Sequence, residues 1–471
     1  MSDAMKTELD WSAWEGYGQG DAYAAVPRHG GGFGRAAALC IGSRQCQKAR
    51  GQDGDKGVMC PSFRITGEDR HSTRGRAALL RELLDAPGEP VRLDDPALQE
   101  AMSLCVACKG CKRECPNGVD MAALRAEVLA QRWRRESPPW RTRLMASVPR
   151  WLPWLRWLRP LLAWRNRSAW LARRLERLGG VAAARSLPLP AARPFDQLEP
   201  RTTIGLPHDA PALREVVLLV DCFSNHLEPQ VAQDALRVLQ AAGVRVHRVR
   251  APAGEPGLCC GRPAWSAGRI DQARDQARRL LEALAPHLAA GRSIVGLEPS
   301  CLTMLRDEFL QMGLPADAVQ ALSGKALLLE EFLVRVFDGR GAVPPWQPLA
   351  ATVHVHGHCH QKAFGTLKHM RRLLGQVPQL RVDWIESSCC GMAGGFGYEA
   401  EHHAASVAMG ELALLPAVRA APAEDLILAS GTSCRHQIAD GSGRRSLHLA
   451  QLLARALPGP TADAEPRGGA R

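Results

Sequence analysis

One short cysteine run, from residue 105 to residue 116, constrains the fold of this chain more than any other feature. Cys105, Cys108 and Cys111 are separated by two residues each, and Cys115 follows after three more, directly before Pro116. Three thiolates at this spacing wrap one cubane iron–sulfur cluster, and the fourth, held before a proline, reaches a different cluster. Four cysteines and a proline rarely take these positions by chance. The run therefore predicts a protein that moves electrons.

Length and composition indicate a folded protein with several cores. The chain has 471 residues, which is enough for two or three sizeable hydrophobic cores. It lacks any run of eighteen apolar residues, and its N-terminus lacks the basic start and apolar core of a signal peptide. We therefore expect a cytoplasmic protein, with peripheral contact to the inner face of the cell membrane left open. In that compartment its 15 cysteines are expected to be metal ligands and not disulfides.

The positive charge is concentrated in one segment. The net charge is +12, and residues 131–178 carry thirteen arginines against two glutamates, so the rest of the chain is near neutral. Prolines restrict any helix there to short pieces. The same segment holds seven tryptophans: Trp133, Trp140, Trp151, Trp154, Trp157, Trp164 and Trp170.

Three interpretations of this Arg/Trp block remain open. Its arginine stems could cover the core as a packed layer. Residues 138–178 could instead lie on an anionic membrane surface, with Trp at the headgroups and Arg at the phosphates. Nucleic-acid binding is the third interpretation. Packing is favoured over membrane contact, and no nucleic acid is expected because the remaining chain lacks excess charge.

The order of helical and strand patterns along the chain predicts an α+β multidomain protein. We predict an irregular N-terminal arm (1–35), an α-helical ferredoxin-like domain (36–135), an Arg/Trp-rich connecting segment (136–211), a first α/β half (212–345), a second α/β half (346–458) and a disordered tail (459–471). Within the ferredoxin-like domain, helical patterns run over 73–84, 96–104 and 121–135.

Both α/β halves repeat the same order of strands, helices and cysteines. In the first half, strands are predicted at 216–221, 244–249 and 293–297, with helices at 230–242 and 272–288. In the second half, strands are predicted at 352–355, 380–385 and 425–429. One helix there follows the first of these strands and ends at residue 374, and another is predicted at 399–417. Strand–helix alternation predicts a parallel sheet in each half. Every cysteine follows a predicted strand end, where open α/β sheets place their ligand sites. The first half has Cys222, Cys259, Cys260 and Cys301, and the second has Cys359, Cys389, Cys390 and Cys434.

Several motifs together resemble a known family. They are Cys40-x5-Cys46, Met59-Cys60-Pro-Ser-Phe63, the segment His71–Arg76, the 105–116 run, the two Cys-Cys-Gly halves, the segment His356–His360 and the segment Ser433–Ile438. Over residues 36–456 they resemble the iron–sulfur portion of FAD-linked D-2-hydroxyacid dehydrogenases of the D-lactate and D-2-hydroxyglutarate type. The iron–sulfur subunits of glycolate oxidase and anaerobic glycerol-3-phosphate dehydrogenase are similar, as is the CCG-containing subunit of heterodisulfide reductase. The resemblance implies a ferredoxin module followed by two CCG-type halves.

The resemblance also implies a function. In the fused enzymes a flavin domain precedes this region, and we expect no room for one before residue 36, so no FAD is expected on this chain. The chain would then be an electron-transfer subunit without catalytic residues of its own. It would accept electrons from an FAD-binding dehydrogenase subunit and pass them to a quinone or another redox carrier. The alternatives are a heterodisulfide or thiol reductase-like catalytic CCG protein, and a scaffold that anchors a flavoprotein to the membrane.

The ferredoxin-type cysteines are assigned by the crossing of the two motifs. Cys105, Cys108 and Cys111 are expected to bind one [4Fe-4S] cluster together with Cys60, which precedes Pro61. A zinc site is disfavoured by the three-plus-one spacing and the prolines. The second group is Cys40, Cys46 and Cys115. Its middle position is Ser43, a poor ligand, so the group is left open as a [4Fe-4S] site, a [3Fe-4S] site or an empty site.

The CCG-type halves each keep four of five cysteines. The fifth position is Met304 in the first half and Gln437 in the second. Four thiolates suffice for a further cluster or another metal, and a structural role without metal is the alternative. The missing fifth cysteine weighs against a catalytic reductase.

Four alternating histidines precede or surround Cys359: His354, His356, His358 and His360. A metal face made of all four is one interpretation, and structural or partner-contact roles are favoured over it. His358 and His360 flank Cys359 and could tune a cluster by hydrogen bonds. The glycine-rich stretch at 391–397 is interpreted as backbone that approaches a site closely.

Overall fold

The structure, a computed structural model, is a helix-rich α/β protein with two separate parallel sheets. It describes residues 5–21, 24–48, 57–87, 91–198, 214–252, 254–339 and 345–458. The predicted disordered tail, 459–471, lies outside these residues. Within the described ranges, no helix is both long enough and apolar enough to cross a membrane.

Short helices form the N-terminal part of the chain. They are α1 (Gly31–Ala38), α2 (Pro61–Thr66), α3 (Thr73–Asp85), α4 (Pro96–Ser103), α5 (Gly110–Glu114) and α6 (Met121–Arg135). The three predicted helices correspond to α3, α4 and α6 and are confirmed. Each begins at a polar cap: the side chains of Ser72, Asp95 and Asp120 accept hydrogen bonds from backbone N–H groups of the first turn.

The N-terminal arm docks on α6. The carboxylate of the buried Glu127 accepts hydrogen bonds from the backbone N–H groups of Glu8, at 2.9 Å, and Leu9, at 2.8 Å. It also accepts one from the Trp11 indole at 3.2 Å. Leu9 and Trp11 are themselves buried, so the arm contributes apolar side chains to the core.

The Arg/Trp block folds into short helical pieces, as its prolines predict. They are α7 (Trp140–Ala146), α8 (Val148–Trp151), a 3₁₀ stretch (Leu152–Leu158), α9 (Arg159–Arg167) and α10 (Ala169–Gly179). Trp133 donates its indole N–H to the Ala267 carbonyl at 2.8 Å, and Trp151 packs against the core. The packing interpretation holds for these two. The other five tryptophans are at least half exposed, up to 69 % for Trp154 and Trp157, so it does not hold for them.

The first sheet has the strand order β2-β1-β3-β4, with all neighbours parallel. Its strands are β1 (Arg214–Leu219), β2 (Val244–Arg248), β3 (Ser293–Gly296) and β4 (Ala326–Leu328). Its helices are α11 (Cys222–His226), α12 (Pro229–Ala241), α13 (Arg262–Ser266), α14 (Ile270–Ala289), α15 (Pro299–Arg306), α16 (Ala316–Lys325) and α17 (Leu329–Asp338). The three predicted strands and both predicted helices are confirmed within three residues at their ends.

The second sheet has the order β6-β5-β7 and is also parallel. Its strands are β5 (Ala351–His356), β6 (Leu380–Trp384) and β7 (Leu426–Ala429). Its helices are α18 (Cys359–Ala363), α19 (Leu367–Leu374), α20 (Ala400–Glu411), α21 (Leu414–Ala420), α22 (Thr432–Ser442) and α23 (Leu449–Arg455). In both sheets the first strand in sequence lies between the second and the third.

Two predicted helices of the second half are broken in the structure. The helix predicted at 399–417 is wrong as one element, because it divides into α20 and α21. Pro416 has no N–H, and its ring would clash with the carbonyl of residue 412 in a continuous helix. The helix predicted up to residue 374 divides into α18 and α19, with Gly365 at φ +68° between them. Strand β4 is an addition to the predicted elements, because three residues are too short to show a period.

The two faces of the first sheet belong to different hydrophobic clusters. Val217 of β1 belongs to the hydrophobic cluster that contains the N-terminal helices, whereas Val216 and Leu218 belong to the cluster shared with the second sheet. Successive side chains of a strand point to opposite faces, which explains this division. A third, smaller cluster joins Val58 and Cys108 to the cysteines of the second half.

Candidate metal centres

Four cysteines line one cavity between α2 and α5. Cys105 and Cys108 lie in the loop that leads into α5, Cys111 lies in α5, and Cys60 directly precedes α2. The loop is folded tightly, since Ala107 and Lys109 both have positive φ. A Cβ on Gly110 would stand 2.9 Å from the backbone nitrogen of Met59, so only glycine lets α5 approach the Cys60 segment this closely.

Cys60 is held by donors that suit a thiolate. Its Sγ accepts the backbone N–H of Thr73 at 3.2 Å and lies 3.0 Å from the Thr73 hydroxyl. Burial raises the pKa of Cys111 to about 12 and also raises that of Cys108. Neutral thiols are therefore favoured without metal, and a bound cation is what would keep them ionised. Four soft sulfur donors around one cavity, with an N–H donor on one of them, fit a cubane cluster.

The second ferredoxin-type group lies next to the first. Burial raises the pKa of Cys40, and the neighbouring Cys46 and Cys115 thiols raise it further, so the last cysteine of the 105–116 run lies near the upstream motif. Cys46 Sγ accepts the backbone N–H of Arg74 at 3.4 Å. A hydrogen bond with Cys60 is the main cause that lowers the pKa of Cys46 to about 6. Ser43 is exposed at the surface. The expected grouping of these cysteines as cluster ligands stays a prediction.

A buried lysine in the middle of the run ties this module to the first half. Lys109 Nζ lies 2.7 Å from Asp120, 2.8 Å from Asp307 and 3.4 Å from Glu308. Burial alone would raise the pKa of Asp307, but Lys109 and Lys112 hold it well below its usual value. The motif itself carries no sign of this network, because the acidic partners lie far apart in sequence.

The eight CCG-type cysteines gather into two sets, one at the carboxyl edge of each sheet. In the first half the thiols make consecutive contacts in the order Cys222, Cys259, Cys260 and Cys301. In the second half the order is Cys359, Cys389, Cys390 and Cys434. All eight are buried and free of disulfides. The strand-end placement predicted from the sequence is therefore what brings these residues together.

The two Cys-Cys-Gly turns have the same geometry. Gly261 has φ +85° and Gly391 has φ +86°. Each glycine donates its N–H to the Sγ two residues earlier, Cys259 or Cys389, at 3.4 Å. The fifth positions, Met304 and Gln437, are both fully buried, and the Gln437 amide donates to the Ser406 carbonyl at 2.9 Å. Each set therefore offers four thiols.

Three of the four alternating histidines make contacts of a structural kind. His354 Nε2 lies 2.8 Å from Asp425. His358 Nδ1 accepts the backbone N–H of His360 and so caps α18. His360 contacts the Thr303 hydroxyl at 2.7 Å and the Ala107 carbonyl at 3.2 Å, which joins three parts of the chain.

His356 differs from the other three. It forms a group with Cys390 and Cys434 in which the three ligand atoms lie within 4.8 Å of one another. Its Nδ1 contacts the Ser387 hydroxyl at 2.8 Å, and its buried Nε2 has no hydrogen-bond partner within the described ranges. The sequence gives no local signal for this group, because Cys390 and Cys434 lie 34 and 78 residues after His356.

The cysteine set of the second half borders the cavity lined by Cys60, Cys105, Cys108 and Cys111, here called the ferredoxin cavity. Cys108 packs in one buried cluster with Cys359, Cys389, Cys390 and Cys434. A hydrogen bond links the segments that carry the two sets: Glu298, three residues before Cys301, accepts the backbone N–H of Thr432, two residues before Cys434, at 2.8 Å. The candidate centres are thus neighbours and not isolated sites.

Two family models match this chain. A 4Fe-4S dicluster domain matches residues 36–119, and a cysteine-rich domain, CCG, matches residues 216–306. These ranges contain all the ferredoxin-type cysteines and the first CCG-type set. The predicted fold class is confirmed in its N-terminal iron–sulfur module, its parallel sheets and its CCG domain, whereas the repeat of that domain stays a prediction.

Several proteins of known role are similar to the chain. A subunit of the anaerobic glycerol-3-phosphate dehydrogenase of Escherichia coli is 30% identical over 244 residues, which cover 52% of this chain and 59% of the relative. D-2-hydroxyglutarate dehydrogenase of Pseudomonas putida is 25% identical over 89% of this chain but only 43% of its own length. The chain thus spans about half the length of these two relatives.

A third relative matches over nearly its whole length. The glycolate oxidase iron–sulfur subunit of Escherichia coli is 25% identical over 420 residues, which cover 85% of this chain and 91% of the relative. The chain therefore contains a 4Fe-4S dicluster domain and a CCG domain, and it is a homologue of D-2-hydroxyglutarate dehydrogenase, of the glycolate oxidase iron–sulfur subunit and of an anaerobic glycerol-3-phosphate dehydrogenase subunit.

Proposed function

We propose that this chain is the iron–sulfur electron-transfer subunit of an FAD-linked 2-hydroxyacid dehydrogenase. A flavoprotein subunit would oxidise the acid, and the chain would carry the electrons onward to a quinone or another respiratory acceptor. One relative is a D-2-hydroxyglutarate dehydrogenase and another is a glycolate oxidase subunit. Both names contain a 2-hydroxyacid, which supports 2-hydroxyacids as the substrate class. Two relatives are also named as subunits, which supports a partner protein.

The observation that carries the proposal is the cavity lined by Cys60, Cys105, Cys108 and Cys111. A cluster bound there would accept and release single electrons. The chain's own residues exclude water and hold the sulfur atoms in place: Cys60, Cys108 and Cys111 are each at most 8 % exposed. The buried Arg76 lies beside the same cavity and is fixed by the Ala101 carbonyl at 2.7 Å and the Ser62 hydroxyl at 2.9 Å. A hydrogen bond with Cys46 and burial raise the pKa of Cys60, and the Arg76 charge acts in the opposite direction.

The first test is iron and acid-labile sulfide per chain, with EPR, on anaerobically purified protein. About four irons assigned to the Cys105 cavity are expected, because one cubane holds four. Cys105→Ser should remove this signal, whereas Cys222→Ser, in the separate first CCG-type set, should retain it. Absence of iron after careful anaerobic reconstitution would contradict the proposal.

A second test asks whether a separate flavoprotein subunit, and not this chain, oxidises the 2-hydroxyacid. The purified chain should show no turnover of D-lactate, D-2-hydroxyglutarate or glycolate, and a flavoprotein subunit should restore it. Turnover by the chain alone would refute this part of the proposal. A reductase-like role is the alternative, against which Met304 and Gln437 weigh, and disulfide-dependent reoxidation of the reduced chain would favour it.

We further propose that residues 138–178 contact an anionic membrane surface. Trp154, Trp157, Trp164 and Trp170 are 55–69 % exposed, and Arg173, Arg174 and Arg177 are exposed on the adjoining helix α10. Exposed indoles beside arginines are the composition of an interfacial segment. The chain should therefore float with anionic liposomes at low salt and less at high salt, because salt screens the arginines. Equal flotation with neutral liposomes at both salt concentrations would contradict an electrostatic contact.

A further inference from the structure

We propose that the second CCG-type set is a mononuclear zinc site in which the His356 imidazole is one ligand. The proposal goes beyond electron transfer, because zinc has no redox chemistry of its own. The ligands would be His356, Cys390 and Cys434, with Cys359 or Cys389 as the fourth. The result would be a tetrahedral Cys₃His site, a common composition for structural zinc.

The spacing of the ligand atoms supports a single ion. Bonds of about 2.1 Å to nitrogen and about 2.3 Å to sulfur place tetrahedral ligands about 3.6–3.8 Å apart. The atoms of His356, Cys390 and Cys434 all lie within 4.8 Å of one another, so a small contraction would close the site. In the described ranges, no three cysteines around the ferredoxin cavity approach this closely. Wider spacing suits a cubane, because its four irons lie between the cysteine ligands.

The free ring nitrogen of His356 is the second observation. The side chain is fully buried, and Nε2 lacks a hydrogen-bond partner within the described residues. A buried polar atom without a partner is costly, and a metal bond would remove that cost. The other nitrogen, Nδ1, contacts the Ser387 hydroxyl at 2.8 Å, and that hydroxyl lies 3.4 Å from the Ile385 carbonyl. In the tautomer in which Nδ1–H donates to this hydroxyl, the Nε2 lone pair is available to a metal and the ring orientation is fixed.

Charge is balanced at the same place. Zinc with three thiolates and a neutral imidazole carries one net negative charge. Lys362 donates hydrogen bonds to Ser387 and to the Ser388 carbonyl, at 3.1 Å for the latter, which places a cation at the two residues directly before Cys389. A buried charge requires such a partner.

The first half supplies an internal comparison. Leu219 ends β1 and is paired with Gly296, as His356 ends β5 and is paired with Ala429. Each precedes the first cysteine of its set by three residues. The first set therefore has four thiols and no imidazole, so we assign the mixed site to the second half alone.

The test is metal content and cobalt spectroscopy on the full chain. Purified anaerobically with zinc and iron supplied, it should hold about one zinc per chain beside the iron. His356→Leu, which introduces the residue of the first half, should lower zinc affinity at least about tenfold. His369→Gln is the control, because His369 also has a buried ring nitrogen without a partner among the described residues. Iron content and the EPR signal of the Cys105 cavity should not change in either variant.

A second variant covers the case in which His356→Leu does not fold. His356→Cys keeps a soft ligand and should retain zinc, and after cobalt substitution it should shift the visible ligand-field bands of a tetrahedral thiolate site. Absence of zinc after reconstitution with zinc, unchanged affinity in His356→Leu, or four further irons in place of zinc would each overturn the proposal. Loss of the Cys105 signal would instead count against electron transfer, so the two failures are distinguishable.

Discussion

At the scale of single residues, buried carboxylates make the stability of this protein depend on pH. Glu330 is buried and accepts a hydrogen bond from the Gln361 amide at 2.6 Å, and Gln361 in turn accepts the backbone N–H of His358. Burial raises the pKa of Glu330 to about 7. Between the ordinary value near 4.5 and 7, the folded state therefore binds more protons than the unfolded state, and stability falls as pH rises through this window.

Glu330→Gln should remove this dependence. The variant should match the wild type near pH 5 and be more stable at pH 8 by about 2–3 kcal/mol, because one pKa unit corresponds to about 1.4 kcal/mol. Thermal melting at several pH values measures the difference, with Glu82→Gln at an exposed position as the control. Parallel pH profiles for the wild type and Glu330→Gln would contradict this explanation.

Single residues also show where sequence reasoning succeeds and where it stops. The cysteines can be found because their spacing is local and each follows a strand end. Lys109 stands inside the best motif of the chain, yet its partners Asp120 and Asp307 are 11 and 198 residues away. His356 has the sequence context of a core histidine, and only the folded chain places it beside Cys390.

At the scale of elements, the Cys-Cys-Gly turns depend on glycine for two separate reasons. Gly391 has a positive φ, and a Cβ there would stand 2.3 Å from the Ser406 carbonyl oxygen. Gly443 also has a positive φ, of 71°, but a Cβ there meets nothing within 4 Å. A comparison of substitutions at Gly391 and Gly443 therefore separates the cost of backbone strain from the cost of steric overlap.

Gly443→Ala should cost about 1–2 kcal/mol, the strain of a left-handed residue. Gly391→Ala should cost clearly more, because α20 must move to relieve the overlap and the donor to Cys389 moves with it. Chemical denaturation of both variants measures the difference. Equal losses of stability in the two variants would show that α20 moves at little cost at this point.

The strands can be predicted better than the helices of the second half. Buried β-branched runs such as that of β1 define parallel strands even without context. The break between α20 and α21 has a local signal in Pro416, whereas β4 is a three-residue strand that is recognised by its pairing with β3.

At the scale of the whole molecule, Lys109 joins the N-terminal module to the first half. Its ammonium is fully buried among Asp120, Asp307 and Glu308, and Arg262 Nη1 adds a further contact to Glu308 at 2.6 Å. Removing one partner of a buried ion pair leaves the other charges uncompensated.

Lys109→Met should destabilise the protein by about 3–5 kcal/mol, whereas Lys112→Met should cost much less, because Lys112 is partly exposed. Urea denaturation of both variants measures the effect, and iron retention reports whether the loop around Cys108 stays closed. Similar losses of stability in the two variants would mean that the burial of Lys109 does not determine how much this ion-pair network stabilises the protein.

The contact between His360 and the Ala107 carbonyl, at 3.2 Å, has a consequence for how the protein is made. It places the second half directly over the loop that carries Cys105 and Cys108, and Cys359 lies beside Cys108. With the second half docked, Cys60, Cys108 and Cys111 are at most 8 % exposed, which leaves a protein that delivers preformed clusters little access to them. We therefore expect the cofactor to be inserted before the second half docks on this loop.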